Sequence, residues 1–152
     1  MDTDIFNISA DEIEEILRIQ DDAKISKWSA ESYIAEIENS DAKFLGIRNS
    51  EKLIGFVLLR KLVGESSETS EAELLNIAIA DEFQRRGCGK LLFERCIDEL
   101  ITERVSQIWL EVRESNINAI RFYESFGFER SNIRKNYYSG PVENAVVMKK
   151  TL

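Results

Sequence analysis

Histidine is absent from this 152-residue chain, and cysteine occurs only twice. Without imidazole, Ser-His-Asp and Cys-His nucleophilic machinery is excluded in its usual forms. Two cysteines are too few for a structural or catalytic zinc site, so no metal is expected. Acid–base work must fall to Glu, Asp, Tyr, Lys, Cys or the backbone. Cys88 and Cys96 fall in a turn and on a helix, which is no disulfide framework. The longest apolar run, Leu53 to Leu59, is too short to span a bilayer. The opening stretch MDTDIFNISADEIEE is acidic and has no apolar signal core, so the expected location is the cytoplasm. A positive balance is lacking too. The net charge of −8 argues against wholesale binding to nucleic acid or an anionic membrane and is compatible with basic peptides or amines as substrates. With 43% apolar and 32% charged residues, no repeat and no low-complexity stretch, residues 1–152 are expected to form one soluble domain.

The most informative stretch is Ala72 to Leu92, AELLNIAIADEFQRRGCGKLL. The apolar run through Leu74, Leu75, Ile77, Ala78 and Ile79 predicts a strand, broken by Asp81 and Glu82. Gln84-Arg85-Arg86-Gly87-Cys88-Gly89-Lys90 follows, then an amphipathic helix. A strand feeding a glycine-rich turn and a helix N-terminus is an anion site: the first helical N–H groups lack partners and the dipole adds partial positive charge. Gly87 and Gly89 allow backbone amides to approach a phosphate closely. A Walker loop is excluded, since Gln84 stands at its first glycine and Leu91 follows Lys90. A dinucleotide fingerprint is excluded by Leu92 at its third glycine. Q-x-x-G-x-G remains, either a phosphate cradle or a plain strand–turn–helix connection.

Asp4 to Ile8 predicts an edge strand. Ser9 and Glu12 form a capping box that opens a helix with Ile13, Ile16, Leu17 and Ile19-Gln20 on or near one face, and Asp21 to Lys27 a loop. Ser29 caps a second helix, Ala30 to Glu38, with Tyr33, Ile34 and Ile37 inward. Strands follow at Lys43–Arg48 and Leu53–Lys61, then a polar loop, Gly64 to Ser70. The helix from about Gly89 to Thr102 is expected to bury Leu92, Phe93, Cys96, Ile97, Leu100 and Ile101. In the strand Gln107–Val112, Trp109 and Glu111 share one face. A further helix starts at Ser115 or Asn116 and ends at Gly127. Phe128–Ile133 and Ala145–Lys149 are closing strands joined by a long loop, Arg134 to Asn144. The order β-α-α-β-β-β-α-β-α-β-β gives an α/β sandwich: a mixed sheet of about seven strands, helices on both faces, and a βαβ unit between two parallel strands.

A second stretch, Ile108 to Phe128, carries Asn116, Ala119, Phe122, Tyr123, Gly127 and Phe128 in the pattern N, then A-x-x-F-Y-x-x-x-G-F. Together with Q-x-x-G-x-G, in this order and at this separation, it resembles the GNAT N-acetyltransferase superfamily over essentially the whole chain. Leu75-Asn76-Ile77-Ala78, Trp109-Leu110-Glu111-Val112-Arg113, Tyr123-Glu124-Ser125, Ile133-Arg134-Lys135-Asn136-Tyr137-Tyr138 and Trp28-Ser29 are similar to the ribosomal-protein alanine N-acetyltransferase branch. Ser26-Lys27 and Tyr138-Ser139-Gly140-Pro141 depart from it, both in the expected acceptor region.

The resemblance implies a single N-acetyltransferase domain, 1–152, with a splay between its two central parallel strands. It implies acetyl-coenzyme A as cosubstrate. Main-chain groups of Ile77, Ala78 and Ile79 would run along the pantetheine arm, and the stretch Arg85, Arg86, Gly87, Cys88, Gly89 and Lys90 would hold the pyrophosphate. Asn116 matches a pantetheine contact; helix capping is the alternative role. Glu111 matches the proton acceptor, directly or through a water; a strand glutamate paired with Arg113 is the alternative. Tyr123 matches the proton donor to the coenzyme A thiolate; a buried core aromatic is the alternative. Cys88 is no nucleophile in this picture. Trp28 and Trp109 are expected in the core. Tyr137 and Tyr138 either line the acceptor cleft or dock a loop.

The function so implied is transfer of acetyl to the N-terminal amine of a protein, the N-terminal alanine of a small-subunit ribosomal protein. Acetylation of a small amine or a lysine side chain is the rival with the same chemistry. A coenzyme A-binding module without catalysis is the rival from another class, and the presence of Glu111 and Tyr123 argues against it.

Overall fold

The computed structural model describes residues 2–23, 25, 27–62 and 70–152. The expected polar loop lies outside the described residues over 64–69, as does Ser26. Chain order runs β1 (Thr3–Asn7), α1 (Ile13–Ala23), α2 (Ala30–Glu38), β2 (Ala42–Asn49), β3 (Lys52–Leu62), β4 (Ser70–Ile79), α3 (Cys88–Thr102), β5 (Val105–Arg113), α4 (Ile117–Ser125), β6 (Glu129–Tyr138) and β7 (Glu143–Thr151). The expected order of strands and helices is therefore observed. Ser9 caps as expected: it accepts from Asp11, and Glu12 reaches back to the Ser9 N–H at 2.9 Å. Ser29 caps α2 by accepting from Ser32 at 3.1 Å.

The strands form one seven-stranded sheet, ordered β1-β2-β3-β4-β5-β7-β6. All neighbours are antiparallel except β4 and β5. That parallel pair is short. It runs from Ser70, opposite Val105, to Glu73, opposite Trp109, and goes no further. Beyond it β4 stays with β3, and β5 stays with β7 as far as Arg113, opposite Ala145. The expected splay is thus present. A β-bulge accompanies it: Leu58 of β3 faces Asn76 while Leu59 faces Leu74, so Leu75 is the extra residue on β4.

Each face of the sheet carries its own core. Leu92, Phe93, Cys96 and Leu100 of α3 and Ile120 and Tyr123 of α4 pack on one face, against Ile54, Val57, Ile108 and Leu110. Ile13, Ile16 and Ile19 of α1 and Tyr33 of α2 pack on the other, against Phe44, Phe56 and Leu58. β3 serves both cores, with Ile54, Val57 and Leu59 on one side and Leu53, Phe56 and Leu58 on the other; its alternation shifts by one at a bulge where Ile54 is the extra residue opposite β2.

Four expectations are corrected. Asp21 to Ala23 belong to α1, because the helix runs one turn past its apolar stripe. Ile34 and Ile101 are exposed, and Glu36 takes the inward position on α2 because Arg60 of β3 pairs with it there. The loop expected from Arg134 to Asn144 is mostly strand, since β6 continues to Tyr138. Its residues are polar and exposed because β6 is the outermost strand, and pairing with β7 rather than burial holds it. A register shift between Arg134 and Tyr138, with Asn136 at φ 53°, bends its end.

Gly55 of β3 lies opposite Ile79, the last residue of β4. A Cβ there would stand 2.4 Å from Ile79 Cδ1 and 2.9 Å from the Ala78 carbonyl oxygen. The backbone cannot move aside as a side-chain tip can. Gly55→Ala is therefore expected to destabilise the protein by about 1–3 kcal/mol, read as a lower urea midpoint. An unchanged midpoint would show that β4 is free to shift at this end.

Candidate active site

The gap between the parted strands is a cavity of about 660 Å³. Leu74 to Ile79 of β4 line one wall and Leu110 to Arg113 of β5 the other. The turn before α3 closes one end through Gln84, Arg85, Gly87, Gly89 and Lys90. Asn116, Ala119, Phe122 and Tyr123 of α4 form the floor, and Ala23, Ile25 and Tyr138 lie at its margins.

Strand alternation fixes which backbone groups face the gap. Ala80 N donates to Ile54 O at 2.8 Å, so Ala80 and Ala78 direct their peptide groups toward β3. Those of Ile77 and Ile79 then point into the gap. The Ile79 carbonyl accepts from Gln84 Nε2 at 2.9 Å, which ties the turn to the strand end. This role of Gln84 was not foreseen from the glycine pattern.

The turn has an anion-binding form. Arg85 and Gly87 both adopt positive φ, 61° and 83°, which suits glycine at the second position. Leu91 N donates to Gly87 O at 3.0 Å, the first bond of α3. The N–H groups of Cys88, Gly89 and Lys90 therefore precede the helical ladder and carry the positive end of its dipole. The Cys88 side chain is buried in the core and does not line the cavity. Arg86 also stands outside the lining, with its guanidinium 5.6 Å from the Phe83 ring centre. Asn116 is the N-cap of α4 and accepts from Ala119 N at 3.2 Å. Capping is thus observed, and the amide NH₂ is the group left for a ligand.

The structure brings Glu111 and Tyr123 into the same cavity from β5 and α4. The Glu111 side chain is 9% exposed. Its Oε1 accepts from Arg134 Nη1 at 2.7 Å, and its Oε2 is buried without a hydrogen-bond partner. The alternative pairing with Arg113 is not found. Arg113 instead binds Glu143 at 3.2 Å and the carbonyls of Ser139 and Pro141, with its guanidinium over the Tyr138 ring. The nearby Glu111 carboxylate pushes the Tyr137 phenol up in pKa, and burial adds to the shift. Burial pushes Tyr138 up to about 12, with the Glu111 charge adding to it. Tyr123 is pushed up further, again by burial first and then by Tyr138, so its phenol stays protonated at neutral pH.

A buried polar network beside the cavity escaped the sequence reading. Gln20 of α1 donates to Trp28 O at 3.0 Å and accepts from Trp28 N at 2.8 Å. The Tyr33 hydroxyl donates to Gln20 Oε1 and accepts from Asn76 Nδ2 at 3.1 Å. Trp28 stacks on Tyr33, with ring centres 5.4 Å apart. The network joins α1, α2 and the segment between them to β4. Polar Gln20 in an otherwise apolar helical stripe was the available signal.

The sequence model of the acetyltransferase (GNAT) family matches residues 13–128. The chain belongs to that family. It is 38% identical over 149 residues to the [ribosomal protein bS18]-alanine N-acetyltransferase of Haemophilus influenzae, covering 95% of each chain. It is 36% identical over 135 residues to the enzyme of the same name from Salmonella typhimurium, covering 86% of this chain and 85% of that one. The crystal structure of the ribosomal-protein-S18-alanine N-acetyltransferase from Escherichia coli superposes with a TM-score of 0.85 at 31% identity, covering 99% of this chain and 94% of that one.

Burial raises the Tyr33 phenol from 10.0 to about 12. A neutral group favoured in the fold contributes its full share of stability below the unfolded pKa and loses it as pH rises through the folded value. Unfolding free energy should fall above pH 10 by up to about 1.4 kcal/mol per pH unit for this group. Tyr33→Phe should flatten that alkaline slope in urea titrations. An equal slope in wild type and variant would contradict the assignment.

Proposed function

We propose that this protein is an acetyl-coenzyme A-dependent Nα-acetyltransferase whose acceptor is the N-terminal alanine of a small-subunit ribosomal protein, and that residues 1–152 act as one catalytic domain in the cytoplasm. The observation that carries the chemistry is the meeting of Glu111 Oε2, buried and unpartnered, with protonated Tyr123 in one cavity between the parted strands. The shared name and high coverage of the relatives support the acceptor.

The cavity suits the cosubstrate on three grounds. Main-chain groups of Ile77 and Ile79 face the gap and can pair with the two amides of a pantetheine arm; Ala78 contributes its wall, its own peptide groups being engaged with β3. The amides of Gly87, Cys88, Gly89 and Lys90, flanked by Arg85 and Arg86, can hold a pyrophosphate. Asn116 has its NH₂ to offer the arm.

Glu111 takes the proton from the acceptor amine, directly or through a water, as the amine nitrogen bonds to the thioester carbonyl carbon. Tyr123 gives its proton to the thiolate as the carbon–sulfur bond breaks. An α-amine with pKa near 8 is roughly a tenth neutral at pH 7, whereas a lysine near 10.4 is below about a thousandth. One carboxylate therefore serves an N-terminus far better than a lysine side chain.

Peptides beginning Ala, Ser, Met-Leu and Met-Glu, and a free polyamine, are each incubated with the protein and acetyl-coenzyme A, and the acetyl group is located by mass spectrometry. Acetyl on the α-amine of the Ala peptide is expected. Glu111→Gln should lower that turnover by roughly 10²–10⁴-fold with acetyl-coenzyme A affinity nearly intact. Transfer to the polyamine or a lysine would assign a different acceptor class. Tight binding with no transfer would make the protein a coenzyme A-binding module.

A further inference from the structure

Glu111 is held asymmetrically. Its Oε1 is engaged by Arg134 at 2.7 Å, and its Oε2 is the one buried carboxylate oxygen among the described residues that lacks a hydrogen-bond partner. The terminal torsion of a glutamate is broad, so a free carboxylate would turn widely about it. The Arg134 contact fixes the plane in which the two oxygens lie.

We propose that Arg134 is a positioning residue for acetyl transfer: its guanidinium pins one oxygen of Glu111 and so presents the other to the acceptor amine. The proposal rests on the reading of Glu111 as proton acceptor. Arg134 comes from β6, an edge strand remote in sequence, and does not line the cavity. Its contact with the lining is through Glu111. The shift of register that begins at Arg134 bends the end of β6, and Tyr137 packs under the guanidinium with its ring centre 5.0 Å away.

Nearby charges make the pin necessary. Glu73, at the last paired position of β4, is raised in pKa by burial and then by Glu111, and lowered by Arg60 and Arg134. Two carboxylates thus share this face of the sheet. Arg60 is occupied by Glu36, and Arg113 by Glu143. Arg134 is the cation left to hold Glu111 in place against Glu73. Its side chain is 52% exposed. Arg134 is thus open to solvent while Glu111 is buried, so losing the arginine would strand a buried carboxylate, and kcat is read beside stability in each variant.

The test compares Arg134→Met, Arg134→Lys, Glu111→Gln and the Glu111→Gln/Arg134→Met double variant, with an Ala-initiated peptide as acceptor. Arg134→Met should lower kcat by roughly 10- to 100-fold, the loss typical of a displaced catalytic group, and leave acetyl-coenzyme A affinity unchanged. Arg134→Lys should lie between, and millimolar guanidinium should restore part of the Arg134→Met activity. The double variant should be no slower than Glu111→Gln alone, because the two residues act as one unit. Full kcat in Arg134→Met, or losses that multiply in the double variant, would overturn the proposal while leaving Glu111 as base. Full turnover in Glu111→Gln would instead remove the base beneath it, and the proposal with it. Should Arg134→Met fail to fold, Arg134→Lys with full kcat would be the overturning result.

Discussion

Everything chemical in this protein depends on two parallel strands that stop pairing. β4 and β5 are joined only from Ser70 to Glu73 and then part. Backbone N–H and C=O groups removed from a ladder are costly unless they find other partners. The parting therefore leaves groups of Ile77 and Ile79 in need of a partner, and a cavity in which to receive one. The bulge at Leu75 makes the change possible, because it lets β4 keep its pairing with β3 while its side chains exchange faces. Ala72 and Leu74 serve the core under α3 and α4, and Ala78 serves the core under α1. Each arm of the split is thus anchored by packing.

The charges follow the same division. An acidic chain of net charge −8 places Arg85, Arg86 and Lys90 together at the turn where the dipole of α3 begins. On the opposite side of the split, carboxylates and phenols gather, and the Glu111 charge acts on Glu73, Tyr137 and Tyr138. That division of charge suits a ligand with an anionic part at one end and an amine at the other. Two arginines, Arg113 and Arg134, fasten the β6–β7 hairpin to β5, each through a carboxylate.

Local patterns carried most of this in the sequence. The capping pairs, the helical stripes of α1 and α3, the alternation of β5 and the glycine turn are short-range features, and each is found where the residues place it, Ile101 at the end of the α3 stripe excepted. What was not legible depends on partners distant in the chain. Glu36 goes inward on α2 because Arg60, from β3, meets it. β6 carries no buried face, so no alternation marks it as a strand beyond Ile133. Gln20, Tyr33 and Asn76 come from three elements, and nothing near any of them announces the other two. The role of Glu111 came from the family resemblance, and pairing with Arg113, two residues along, was the alternative to it. The sheet instead delivers Arg134 across β7.

The central claim is that the opening between β4 and β5 is where the acyl donor lies. A crystal structure with coenzyme A bound tests it most directly. The account predicts the pantetheine arm between the parted strands, with hydrogen bonds to main-chain groups of Ile77 and Ile79, and the pyrophosphate on the amides of Gly87 to Lys90. Coenzyme A bound elsewhere on the protein, or strands drawn together with the cavity filled by side chains, would contradict it.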